Sequence, residues 1–328
     1  QVWDESAGEA IADPAFRAAR DRTGTPGWAD ELPTYEQGDK VATRKAIEAA
    51  LNATVDGLPG LVAGSADLTG NTGTKLATAV AQTAAQPGGR QVYYGVREHA
   101  MGAAMVGMAL HGGVIPVGGT FFVFVDYMRP AVRLAALSRA KVCFVFTHDS
   151  VGVGEDGPTH QPIEQLASIR AIPDLHVVRP ADANETVAAW RDAVQHDGPT
   201  ALVLSRQGIE VVTDGSAVER GAGIVRDHDE PDLVIVATGS EVPIALGAAE
   251  QLADDGVAAR VISMPSWDRF DEQDEDFRHS IFPPDVPVLA VEAGVTMGWH
   301  RYADDVVGIE RFGASAPGGV ALDELGIN

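Results

Sequence analysis

A glutamate stands where an apolar run meets a small-residue segment. Val92-Tyr93-Tyr94 leads into Gly95-Val96-Arg97-Glu98-His99-Ala100-Met101. An acid at the start of a helix is held by the positive end of the macrodipole, and at a strand end it also meets any ligand bound there. Three further apolar runs end the same way. Leu61-Val62-Ala63-Gly64 is followed by Ser65-Ala66-Asp67, the run 142–147 by His148-Asp149-Ser150, and 200–204 by Ser205-Arg206-Gln207. Ligands of open parallel α/β sheets bind beyond the carboxyl ends of the strands. Four ionisable strand ends on one sheet predict an active-site rim.

The stretch Gly152-Val153-Gly154-Glu155-Asp156-Gly157-Pro158-Thr159-His160-Gln161-Pro162 is too long and polar for a plain connection. Its glycines permit unusual backbone angles and its prolines restrict the chain, which suits a loop shaped around a ligand. His148, Asp149, Glu155, Asp156 and His160 are metal-binding residue types, but their spacing matches neither the zinc pair H-E-x-x-H nor a calcium loop. No metal is expected on this chain. The glycines Gly152 and Gly154 do not open a helix as a dinucleotide fingerprint would. If 121–138 is helical, Phe121, Phe124, Tyr127 and Met128 share one face. That face is either core packing or a platform for a flat heterocycle, and periodicity leaves both open.

Positioning these residues requires alternating strands and helices. Helix 43–55 precedes strand 61–64, and further strands fall at 92–95, 114–117, 142–147, 175–178 and 200–204. Helices near 98–110, 121–138, 162–170 and 183–196 lie between them, the pattern of a mainly parallel sheet covered on both faces. A polar break at 213–232 precedes a second α/β unit. Its strands are 233–237, 257–263 and 286–291, and Ser240 is placed to cap helix 241–254. The expected class is therefore α/β with two domains. Residues 1–40 form an arm with one helix at Pro14–Arg22, 41–213 the first domain, 214–228 a linker and 229–328 the second domain.

The 328 residues carry 24 basic and 47 acidic side chains, a net charge of −23. That field disfavours nucleic acid and anionic membranes as partners, and any anionic substrate must be met by local Arg and His. The lone Cys143 lies in an apolar run, as a buried inert thiol would. No stretch has the length of a membrane-spanning helix, and no signal peptide opens the chain, so a cytoplasmic location is expected.

Together the motifs resemble the C-terminal half of transketolases, the thiamine-diphosphate enzymes of the pentose phosphate pathway. Those carrying the resemblance are Ala42-Thr43-Arg44-Lys45, Gly64-Ser65-Ala66-Asp67-Leu68, Gly95 to Met101, Gly118-Gly119-Thr120-Phe121, Thr147 to Pro162 and Leu204-Ser205-Arg206-Gln207. Ala237-Thr238-Gly239-Ser240-Glu241-Val242 and Arg311-Phe312-Gly313-Ala314-Ser315 continue it in the second unit.

The resemblance implies a pyrimidine-binding domain followed by a transketolase C-terminal domain, and transfer of a two-carbon ketol unit between sugar phosphates. It implies that Glu98 hydrogen-bonds N1′ of the cofactor's aminopyrimidine and favours its imino tautomer. Burial would raise the pKa of such an acid. It further implies that Phe124, with Phe121 and Tyr127, beds the ring, and that Asp67 and Leu68 lie close to it. Arg44, His148 and Arg206 correspond to phosphate-holding residues, Asp156 to a reader of a substrate hydroxyl, and His160 to a histidine near the reacting carbonyl.

Where the family has a Ser after Asp-Leu-x-Pro, this chain has Asn71, whose amide would serve as the donor. The diphosphate and its Mg or Ca ion are expected on an N-terminal domain or subunit beyond this sequence, within a homodimer-type assembly. The chain is thus expected to be a fragment of a longer enzyme or one subunit of a split one. Other two-carbon transfers on the same scaffold, such as dihydroxyacetone synthase or deoxyxylulose-phosphate synthase, are the alternatives, as is a non-catalytic subunit. In the second unit, Glu241 and Glu292 are expected to be ordinary helix or loop acids.

Overall fold

The structure is a computed structural model that describes residue 8 and residues 10–328. The first part of the expected N-terminal arm, residues 1–7 and 9, lies outside the described residues. The arm's helix runs Pro14–Asp21, capped by Asp13, which accepts from the Ala15 N–H at 2.9 Å. Beyond it Trp28, Leu32 and Tyr35 pack against the core of the first sheet.

That sheet has six strands, all parallel, in the order Gln91–Tyr93, Leu61–Ser65, Ile115–Phe121, Cys143–Thr147, Thr200–Leu204, His176–Val178. Every strand expected in this region is present, within a few residues of its expected bounds. The central runs are apolar throughout because both faces are covered. Helices Thr43–Thr54 and Ala183–Gln195 cover one face. Glu98–His111, Val125–Leu137 and Gln165–Arg170 cover the other. In Thr43–Thr54 the buried positions Ala46, Ile47, Ala50, Leu51 and Thr54 recur at the three- and four-residue spacing of one helical face.

The second sheet is mixed and five-stranded: Asp305–Val307, Val288–Val291, Leu233–Ala237, Ala259–Ser263, Gly223–Arg226, the last antiparallel. Its edge strands, too short to show an alternation, were not expected from the sequence. The stretch 214–228 thus holds a helical turn, Ala217–Arg220, and one of those edge strands. Ser240 does not cap its helix as expected; its hydroxyl donates instead to Glu241 Oε1 at 2.6 Å. Among the described residues no helix is long and apolar enough to cross a membrane.

Candidate active site

Parallel strands place their carboxyl ends on one edge, and register fixes who is beside whom. Ser65 pairs with Tyr93 on one side and Gly119 on the other, while Thr147 pairs with Phe121 and Leu204. The segments carrying Asp67, Glu98, His148 and Arg206 therefore leave the same edge. Two of them leave through left-handed backbone, Asp67 at φ 67° and His148 at φ 63°, a conformation costly for side chains other than Gly, Asn and Asp.

Glu98 is the first residue of helix Glu98–His111 and is half-buried. This helix lies close to the sheet because strand residue Gly118 has no side chain. A Cβ there would sit 2.2 Å from Met105 Sδ, and one on Gly119 would sit 2.5 Å from Thr72 Oγ1 on the other face. The glycine pair lets elements approach the strand from both sides.

The aromatic residues do gather, but not on one helix as expected. Phe121 ends its strand, Phe124 closes a single tight turn, and the helix begins only at Val125. The extended Phe121 still brings its ring within 6.1 Å of Phe124, nearly parallel at 18°. Tyr127 follows 6.1 Å from Phe124 and is 69% exposed. Met128 departs from the group into the core. Both histidines join the aromatics: the His148 ring lies 3.7 Å from Phe121, and His160 lies edge-on to Phe124 at 5.4 Å.

A cationic group borders the aromatics. Arg44 donates to the Asn71 carbonyl at 3.0 Å and lies against the Arg206 backbone. Its position is set by Thr43, whose hydroxyl accepts from the Ser205 N–H at 2.7 Å and bonds the Ser205 hydroxyl at 3.1 Å. Helix start and strand end are thereby stitched together. Burial and the neighbouring Arg206 lower the Arg44 pKa. The same causes act harder on His148. Burial first, then Arg44, Arg206 and His160, push it down to about 3, so its imidazole is neutral in ordinary buffers. Its Nδ1 pairs with the Thr147 hydroxyl at 2.9 Å.

The remaining expected residues sit on the open side. Asp67, Asn71, Asp156 and Arg206 are exposed and Leu68 is half-buried. Leu68 N–H donates to Ser65 Oγ at 2.9 Å, and Thr159 pairs with His160 Nδ1 at 2.9 Å. Clefts of about 450 and 490 Å³ occur elsewhere, the first lined by His176 and Trp267 and the second by Tyr35 and Glu185. Neither is lined by Asp67, Glu98, His148 or Arg206. Among the described residues no three His, Cys, Asp or Glu side chains gather as a metal site. Cys143 is buried, which pushes its thiol up to about 12.

Behind His148 lies a group that the sequence did not reveal. Asp149 accepts from the fully buried Arg179, Nε at 3.0 Å and Nη2 at 2.9 Å. Arg179 also pairs with Glu241 and donates to Thr238 Oγ1 at 2.9 Å. Burial opposes the Arg179 charge, and Glu241, Asp149 and Glu292 more than reverse that, raising its pKa. Glu292 takes two bonds from Arg170, at 2.7 and 2.8 Å, and one from Trp299 Nε1 at 2.9 Å. Burial alone would raise the Glu292 pKa, but Arg170 and Arg179 hold it below the ordinary value. Glu241 and Glu292 are thus not ordinary helix or loop acids. They are buried at the contact between the two sheets' domains, and a buried carboxylate must be paired. Their partners lie 62 and 122 residues away in sequence, beyond any local pattern.

Comparison with known proteins identifies both domains. The description "Transketolase, pyrimidine binding domain" matches residues 39–211, and "Transketolase-like TK C-terminal domain" matches 221–328. A transketolase of Bacillus subtilis is 49% identical over 313 residues, covering 92% of this chain and 47% of its own length. The chain spans about half the length of the curated relatives it matches. Among solved structures, a transketolase from Leishmania mexicana superposes with a TM-score of 0.95 at 44% identity, covering 100% of this chain and 50% of its own. One from Pichia stipitis, in complex with sedoheptulose 7-phosphate, gives 0.92 at 41% identity, covering 96% and 48%.

Proposed function

Since the chain belongs to the transketolase family, we propose that it is the half of a transketolase that binds the aminopyrimidine of thiamine diphosphate and the sugar phosphates. The reaction moves a two-carbon ketol unit from a ketose phosphate to an aldose phosphate. The observation that carries this is the convergence on one sheet edge of an acid, an aromatic cluster and a cationic group around neutral His148.

The donor set fits the cofactor's ring. Phe121 and Phe124 offer near-parallel aromatic faces for a flat heterocycle, and Glu98 offers a carboxyl for a ring nitrogen. The diphosphate and its divalent cation are assigned to the rest of the relatives' length, carried on the same polypeptide or on another. When bound, thiamine diphosphate supplies the carbon nucleophile and the electron sink for C–C cleavage.

This chain's residues then have separate tasks. Glu98 holds a proton at N1′ and favours the imino tautomer. Phe121, Phe124 and Tyr127 bed the ring, with Asp67 and Leu68 at its margin. Arg44 and Arg206 meet the substrate phosphate as cations, and His148 and the Asn71 amide meet it as neutral donors. Asp156 reads a hydroxyl of the sugar, and His160 stands by the reacting carbonyl to hold or move a proton.

A homodimer-type assembly has its own support. Helix Glu98–His111 leaves Ala100, Ala103, Ala104, Gly107 and Leu110 exposed in one stripe, and Tyr93, Val96, Leu134 and Leu137 are exposed as well. Exposed apolar side chains of this kind support a contact face.

The phosphate assignment is tested by Arg206→Ala in the complete enzyme. Losing a charge-assisted bond should raise KM for phosphorylated sugars about 10- to 100-fold, with KM for the unphosphorylated sugar nearly unchanged. An equal rise for both would contradict it.

A further inference from the structure

We infer that the C-terminal domain sets the shape of the substrate-reading loop 148–162, with Arg179 and Gln161 as positioning residues. This rests on the transketolase assignment above. The loop leaves the first sheet but is packed as part of the second domain. Its Val151 and the adjoining Ile163 are buried in a cluster whose other buried members are Ala293, Ile309 and Ile327.

Two ties bracket the residues expected to face the sugar. At the start, Asp149 is bonded to Arg179, which reaches across the domain contact to Glu241 and Thr238. Thr238 Oγ1 donates on to Glu292 at 2.6 Å, so the chain of bonds continues into the second domain. His148 is the immediate neighbour of this anchored aspartate and holds a left-handed backbone, φ 63°. At the end, Gln161 Nε2 donates to the carbonyls of Gly154 and Ala314, each at 3.0 Å, and of Val151 at 3.3 Å. One amide thus closes the loop on itself and on the C-terminal segment. The Ser315 hydroxyl donates to the Glu155 carbonyl, and Val295 N–H to the Ile163 carbonyl at 3.1 Å.

The fit leaves no slack on the far side. A Cβ on Gly313 would lie 2.0 Å from Gln161 Oε1, and one on Gly318 would lie 2.5 Å from the Gly152 carbonyl. Asp156 and His160 lie between the ties, on a loop of glycines and prolines whose own backbone bonds are short-range turns, such as Gly157 N–H to the Gly154 carbonyl at 3.0 Å and His160 N–H to the Gly157 carbonyl at 2.9 Å. Such a loop pays for its order through conformational entropy, and here the second domain supplies the compensating contacts. Displacement of a positioned group by about 1 Å costs up to about 100-fold in rate, so loosening either tie should be felt at the sugar.

The test uses the complete enzyme with Gln161→Leu and, separately, Glu241→Gln. Each should raise KM for a phosphorylated ketose by about tenfold or more while the apparent affinity for thiamine diphosphate moves far less, since neither tie touches Glu98 or Phe124. Gly313→Ala keeps every hydrogen-bonding group and pushes first on Gln161, with Val151 Cγ1 next at 3.3 Å, so it decides the matter if a polar variant does not fold; it should show the same split. Unchanged KM in the folded variants, even with a lowered melting temperature, would overturn the inference and leave the ties as domain glue. Failure of the transketolase assignment would be seen elsewhere, as no ketol transfer between sugar phosphates by the unaltered complete enzyme.

Discussion

His148 shows what a residue's surroundings add to its type. A histidine beside an expected phosphate invites the role of a cation, yet burial and two arginines hold it neutral, with a pKa near 3. It is 4% exposed and its ring lies tilted against Phe121. In the proposed site, charge for the phosphate would come from Arg44 and Arg206, and His148 would contribute direction. NMR titration of the substrate-free protein should therefore show no protonation of His148 between about pH 5 and 8. A midpoint near the ordinary histidine value would contradict this environment. In sequence, His148 was legible as a strand-end residue because an apolar run precedes it. Its neutrality was not, because Arg44 and Arg206 stand far from it along the chain and meet it only through the fold.

The elements were legible where a single face or run decides them. The strands of the first sheet announced themselves as short apolar runs, and helix Thr43–Thr54 through its spacing of Ala46, Ile47, Ala50 and Leu51. Misreadings cluster where two periodicities meet. The sequence from Thr120 to Met128 reads as one helix, but the strand continues to Phe121 because that backbone pairs with Thr147. Sheet pairing, a long-range contact, overrides a local helical pattern there. The aromatic platform survives the change, since a strand end and one tight turn bring Phe121 and Phe124 together as a helix face would. The short edge strands Gly223–Arg226 and Asp305–Val307 escaped notice for the opposite reason: too few residues to show any period.

At the scale of the molecule, the domain contact holds most of what sequence patterns hid, and part of it titrates. His176 of the first sheet bonds Asp192 at 2.8 Å and also pairs with Asp268 of the second domain. Burial alone would lower the His176 pKa, but bonds to Asp192 and Asp268 carry it up to about 9. With the folded value above the unfolded one of about 6.5, the clamp's contribution is complete below that pH and is lost as pH rises through 9. The stability gap between the wild-type chain and His176→Gln should therefore be widest just below about pH 6.5 and shrink on the alkaline side. A gap that stays constant from pH 6 to 10 would contradict a charged clamp.

The same contact backs the edge proposed as the active site, where four strand ends, an aromatic cluster and one helix-start acid meet. The measurement that bears most directly on that edge is turnover of the complete enzyme carrying Glu98→Ala at saturating thiamine diphosphate. If Glu98 drives the cofactor's proton transfer, kcat should fall by about 100-fold or more with the fold intact; a kcat close to that of the unaltered enzyme would contradict its role.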